Sequence, residues 1–274
     1  MTYIMNLSLS NPVKAEHFTS IFQHMKLFTD QICILFEKKG IYVQTMDNTR
    51  VSIFELTIPS EWFDSYCHKE NSAITIGLSS SLLFKILNTR DKAQSIHIEY
   101  NTDDKLAIKF TCVNNQNSGD KKPETKTVYD KHFEIPLIDI SEEHMEIPEI
   151  DFQAEILLPS SIFASIIQQL KLFGESLDIQ CNEEKIMLCS NSIENGKMFV
   201  EINIDDIEEF SINEGENIEL SYSLNYLNNI CLYHKIAKNI EIKLCDQYPM
   251  RIYYDLGDGA KIVFYLAPKI SDDD

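Results

Sequence analysis

The strongest constraint on this chain is that it repeats itself. Displaced by 145 positions, the apolar pattern of one half falls on the other without a gap: Phe18, Ile21, Phe22, Met25 and Phe28 meet Phe163, Ile166, Ile167, Leu170 and Phe173. In both copies the i, i+3, i+4, i+7 spacing predicts an amphipathic helix. Ile32, Ile34, Ile41 and Val43 then meet Leu177, Ile179, Ile186 and Leu188, alternating as half-buried strands do. Later segments repeat at nearly the same distance, Ile96, Ile98, Leu106 and Ile108 answering Ile240, Ile242, Met250 and Ile252. Each half therefore reads as helix, strand pair, further strands, short helix and closing strands. The long helices are expected to begin near Lys14 and Ser160, and the short ones to cover 79–88 and 224–234.

Between the copies, 133–149 holds Pro136, Pro148 and several acids, which prevent a regular helix, while its Ile, Leu and Met residues offer anchors to a surface. It is expected to be a semi-ordered connector. The segment 114–125 is polar and nearly free of apolar residues, and is expected to be a mobile surface loop. The acidic end, 271–274, is expected to fray. The boundaries read from this pattern are 1–132, a connector 133–150, and 151–274.

A chain of 274 residues suffices for two such units, each with its own core. Its 24 basic and 43 acidic residues give a net charge of −19, which argues against a protein that simply coats DNA, because phosphate binding is driven by Lys and Arg displacing counterions. A few cations gathered on one surface of a protein closed around the duplex would still suffice. Seven scattered cysteines with no C-x-x-C pair read as reduced, mostly buried small hydrophobes. No apolar run is long enough for a membrane span and the N-terminus lacks the pattern of a secretory signal, so the expected location is inside the cell.

Catalytic patterns are missing. The sequence contains no G-x-G-x-x-G, no G-x-x-x-x-G-K-[ST] and no H-E-x-x-H, and its eight glycines are too few for an elaborate phosphate cradle. Asp255 and Asp258, flanking Gly257, suit a hairpin turn better than a metal site. The expectation is a chain with no enzymatic activity, no cofactor and no metal.

Four segments resemble the sliding clamps of the proliferating cell nuclear antigen family: Gly40-Ile41-Tyr42-Val43-Gln44-Thr45-Met46-Asp47-Asn48-Thr49-Arg50-Val51-Ser52-Ile53, the Ser-Glu-x-Phe-Asp-x-Tyr run from Ser60 to Tyr66, the connector's Glu146-Ile147-Pro148-Glu149, and Phe264-Tyr265-Leu266-Ala267-Pro268-Lys269-Ile270. The resemblance implies an α+β fold of two clamp domains, with antiparallel sheets outside and helices lining the inside of a ring. Three copies would close head-to-tail by pairing a strand near 127–135 with one near 196–204 of the next copy. The ring would encircle duplex DNA without reading its sequence, be opened by a clamp-loader ATPase, and tether DNA polymerase and other replication and repair proteins that carry clamp-binding peptides. It would work in the nucleus or, if the source is a large DNA virus, at a replication site in the host cytoplasm.

By the same resemblance, partner peptides would enter a pocket formed by Met46, Arg50, Val51, Ile53, Met145, Ile147, Pro148, Pro249, Tyr265, Leu266, Ala267, Pro268 and Ile270. The candidate DNA-facing cations are Lys14, Lys26, Lys85, Arg90, Lys92, Lys171, Lys235 and Lys238. Arg50 departs from a histidine common in relatives. Thr19, Ser20, Ser165, Gln168, Asn225 and Leu232 stand where relatives often carry basic residues, and Glu183 replaces a lysine that many eukaryotic relatives use for ubiquitin attachment. The thinned cations keep a second reading open, an interaction hub, heterotrimer subunit or monomeric viral processivity factor that forms no closed homotrimer.

Overall fold

The computed structural model describes residues 3–101, 105–112, 128–140 and 144–269. The polar loop 114–125, Ile270 and the acidic end lie outside the described residues. Among those described, the chain forms two compact units: Met1–Thr45, Leu56–Glu143 and Asp258–Ala260 make the first, and Met46–Glu55, His144–Gly257 and Lys261–Asp274 the second.

The first half of the chain runs β1 (Met5–Leu9), α1 (Pro12–Met25), β2 (Gln31–Glu37), β3 (Gly40–Met46), β4 (Ser52–Pro59), β5 (Ser65–His68), β6 (Ile74–Ser79), α2 (Ser80–Leu87), β7 (Gln94–Tyr100), β8 (Lys105–Cys112) and β9 (Lys131–Pro136). The second repeats that order as β10 (Ala154–Pro159), α3 (Ser160–Leu170), β11 (Ser176–Cys181), β12 (Lys185–Ser192), β13 (Gly196–Asn203), β14 (Glu209–Ile212), β15 (Ile218–Ser223), α4 (Leu224–Ile230), β16 (Asn239–Leu244), β17 (Met250–Gly257) and β18 (Ala260–Leu266). The sheets repeat as well. The order β5-β1-β7-β8-β9 is answered by β14-β10-β16-β17-β18, and β4-β3-β2-β6 by β13-β12-β11-β15.

Local chemistry accounts for the helices. Asn11 caps α1, its side-chain oxygen accepting from the amides of Val13 (3.0 Å) and Lys14 (3.2 Å), and Pro12 takes the first helical position, where a missing N–H costs nothing. Ala15, Phe18, Ile21, Phe22 and Met25 turn inward and are at most 3% exposed, each large side chain contributing about 1.5–3 kcal/mol by leaving water. Thr19 is also buried, its hydroxyl donating to the Ala15 carbonyl at 2.7 Å, so this position faces the core. The helix entries repeat between units, since the Ser80 amide donates to the Asp30 carbonyl and the Leu224 amide to the Glu175 carbonyl, both at 3.0 Å. The short helix of the second unit ends earlier than its pattern suggested, continuing as a 3-10 turn over Cys231–Lys235.

Two glycines are required by their surroundings. Gly40 (φ 139°) opens β3, and a Cβ there would stand 2.1 Å from the Ile58 carbonyl oxygen. At Gly77 a Cβ would meet the Ile138 carbonyl oxygen at 2.2 Å, because Ile138 makes an isolated bridge to β6 and donates its amide to the Gly77 carbonyl at 2.9 Å. Residues 133–136, read from sequence as connector, are the final residues of β9. Phe133 packs on Phe110 with ring centroids 5.5 Å apart, and Ile135 is fully buried, so the alternation of a strand outweighs the nearby Pro136. All seven cysteines are free; Cys67 and Cys112 are half-buried and the other five buried.

Candidate functional site

The second unit contains an open groove of about 1440 Å³ with the connector as one wall. Met145–Phe152 supply that wall, Tyr248 and Pro249 one end, and the outward side chains of three adjacent strands the floor: Glu155 on β10, Glu241 and Lys243 on β16, and Arg251 on β17. Ile53 and Tyr265 complete the lining from β4 and β18. Strand periodicity sets the floor, since Ile242, Leu244 and Ile252 point to the core and their neighbours point out.

The floor is a cross-strand ladder of charge. Arg251 Nη1 lies 2.6 Å from Glu241, and Lys243 Nζ lies 2.7 Å from Glu155 and 3.7 Å from Glu241. Burial raises the pKa of Tyr265, and nearby Glu55 adds to the effect, so the phenol stays neutral and offers a hydrogen bond.

Six of the residues picked out from sequence line the groove: Ile53, Met145, Ile147, Pro148, Pro249 and Tyr265. Met46 instead ends β3, Arg50 and Val51 lie on the turn between β3 and β4, and Ala267 and Pro268 on the segment after β18, where the Ala267 amide donates to the Val51 carbonyl at 2.9 Å. Leu266 is fully buried and lines nothing, because the pleat that turns Tyr265 outward turns its neighbour inward. Ile270 lies outside the described residues. Sequence reasoning missed the charged floor. The period-two pattern around Glu241, Lys243 and Arg251 would have placed them outward, but an apolar socket gave no reason to look for charge there.

The β3–β4 turn is built on Asp47, which is 5% exposed. Its Oδ1 accepts from the amides of Val51 (2.8 Å) and Ser52, and its Oδ2 from the Thr49 amide (2.8 Å), the Thr49 hydroxyl (2.5 Å) and the Tyr226 hydroxyl of α4 (2.7 Å). Burial by itself would raise the Asp47 pKa, yet these donors outweigh it and bring the carboxyl down to about 2. Arg50 sits exposed on the turn in the left-handed region, at φ 61°.

The eight candidate DNA-facing cations divide sharply. Lys85, Lys92, Lys171, Lys235 and Lys238 are exposed. Lys14 is committed to structure, donating to the Trp62 carbonyl at 3.0 Å and pairing with Asp258 at 2.7 Å. Lys26 lies over the Phe84 ring, 3.2 Å from its centroid. The Arg90 side chain is only 1% exposed and is taken up by Glu16 and the Gln94 carbonyl, both at 3.2 Å. Burial pulls its pKa down against the opposing influence of Glu16 and Asp91. Among the described residues no group of His, Cys, Asp or Glu is arranged to hold a metal ion, and no helix is long and apolar enough to cross a membrane.

Among the described strands that end a sheet are β9 in the first unit and β13 in the second. β13 exposes Phe199 (64%) and holds Met198, Val200 and Ile202 half-buried, an uncommon apolar load for an edge.

A doubled unit of two helices on antiparallel sheets is the architecture of a DNA clamp. The comparisons agree: the N-terminal domain of proliferating cell nuclear antigen matches residues 12–144 and its C-terminal domain residues 146–269. Proliferating cell nuclear antigen of Chaetomium thermophilum is 30% identical over 240 residues, covering 86% of this chain and 87% of the relative. Proliferating cell nuclear antigen 2 of Drosophila melanogaster is 27% identical over 238 residues, covering 86% and 88%. The chain belongs to the proliferating cell nuclear antigen family and is a DNA sliding clamp, a family whose members work without catalysis.

Proposed function

We propose that three copies close head-to-tail into a ring around duplex DNA, and that the ring tethers DNA polymerase and other proteins whose clamp-binding peptides occupy the connector groove. The groove carries this reading: Ile53, Met145, Ile147, Pro148, Pro249 and Tyr265 converge on one cleft of a size suited to a short helical plug. The open edges of β9 and β13 support head-to-tail closure, because pairing them between copies would remove both. Tethering acts through effective concentration, turning encounters in solution into encounters at the primer end. Loading would fall to a clamp-loader ATPase. The protein itself has no enzymatic activity in this reading, uses no cofactor, and works in the nucleus or, for a viral source, at a cytoplasmic replication site. Domain limits of 1–132 and 151–274, joined by 133–150, go with it, save that 133–136 complete β9.

The test pairs Ile147→Ala with Tyr265→Ala. This double variant is expected to lose stimulation of a processive polymerase while keeping the mass of a trimer in light scattering. Normal stimulation would remove the pocket assignment. The scarcity of free cations favours one rival, a hub that binds partners without closing as a homotrimer. A mass near that of a single 31.7 kDa chain at every concentration would favour the hub.

A further inference from the structure

The β3–β4 turn reaches two places at once. Its carboxylate Asp47 receives the Tyr226 hydroxyl from α4, and Val51 receives the Ala267 amide from the segment that follows β18. Ser52, whose amide also donates to Asp47, is followed directly by Ile53, a wall of the groove. A turn of this sequence has little reason of its own to hold such a shape. Asn48, Thr49 and Arg50 are exposed, the turn contains no glycine, and Arg50 occupies a region that side chains disfavour. Besides two backbone bonds, from the Arg50 amide to the Asp47 carbonyl and from the Asp47 amide to the Ser52 carbonyl, both 2.9 Å, the turn is held by one buried carboxylate that satisfies three backbone amides and two hydroxyls.

We propose that Asp47 is a positioning residue for partner binding: with Tyr226 it locks the turn so that Ile53, the groove residue that follows it, stands in the conformation a clamp-binding peptide meets. The inference rests on the groove being the partner site. No other acceptor replaces the carboxylate, since an amide at this position would turn an N–H₂ toward donors. Loosening the turn would leave the groove's residues present but unfixed, and the peptide would then have to order them on binding.

The experiment measures three things on the full chain: anisotropy of a fluorescein-labelled peptide carrying one aliphatic and two aromatic anchors, deuterium uptake over 46–53 and 261–269, and mass by light scattering. The variants are Asp47→Asn, Asp47→Ala and Tyr226→Phe, with the Ile147→Ala, Tyr265→Ala double variant as control. Expected for Asp47→Asn is a loss of peptide affinity of about tenfold, the scale of hydrogen bonds to a charged group, with faster exchange over 46–53 and unchanged mass. Tyr226→Phe should lose less and Asp47→Ala more, so partial rescue by the conservative change is part of the expectation.

Peptide affinity within about twofold of wild type in both Asp47→Asn and Tyr226→Phe, while the control loses binding, overturns the positioning role and leaves the groove standing. A control that binds normally overturns the groove reading itself. If Asp47→Asn does not fold, Tyr226→Phe decides: it keeps the ring and its packing and removes only the hydroxyl, so unchanged affinity and exchange would overturn the proposal.

Discussion

Single atoms separate residues that look alike in sequence. Tyr265 and Leu266 are neighbours, yet one opens on the groove and the other is buried. Leu266→Ala should therefore cost about 2–5 kcal/mol in urea unfolding, the range for a truncated core leucine, whereas Tyr265→Ala should cost far less stability and act on peptide affinity. Arg90 shows the same contrast among cations. Glu16→Ala would remove a carboxylate partner from a buried guanidinium and should lower stability by about 1–3 kcal/mol, while Lys92→Ala, at an exposed position, should leave it unchanged. Asp47 adds a pH signature. Its carboxyl titrates near 2 in the folded chain against an ordinary 3.8, so its stabilising contribution is present in full above about pH 4 and fades as pH falls toward 2. Acid unfolding of Asp47→Asn should be shallower than that of wild type across this window.

At the scale of elements, repetition made the fold legible. The helical spacing at Phe18 to Phe28 and Phe163 to Phe173, and the alternation at Ile240 and Ile242, are direct consequences of burying one face, and they named the long helices and the strand pairs correctly. Junctions were harder to read. The alternation at 133–136 is too short beside Pro136 to separate strand from connector, and the deciding contacts come from Phe110 and the core of a sheet distant in sequence. The groove was half legible for a similar reason: its apolar rim follows the family motif, while its floor depends on three strands lying side by side. Gly77 marks the point where the connector's first residues bridge to β6. Gly77→Ala should destabilise the first unit by about 1–3 kcal/mol, measured by urea unfolding, since backbone and not a flexible side chain occupies the space.

For the whole molecule, the engagement of Lys14, Lys26 and Arg90 within the fold leaves five of the eight candidate cations for DNA and predicts a light hold on it. Each lysine that neutralises a phosphate adds about 0.9 to the slope of log affinity against log salt. Replacing Lys171, Lys235 and Lys238 by alanine should flatten that slope in duplex binding, and Lys14→Gln should leave it unchanged, because Lys14 is already spent on Asp258 and Trp62. The uneven placement of sulfur has a practical consequence. Burial lifts the thiols of Cys181 and Cys231 to about 11 and 12, whereas both half-buried cysteines, Cys67 and Cys112, belong to the first unit. A maleimide dye added to the native, unaltered chain should therefore colour one half of the molecule and spare the other, giving a built-in optical reporter for following that half alone.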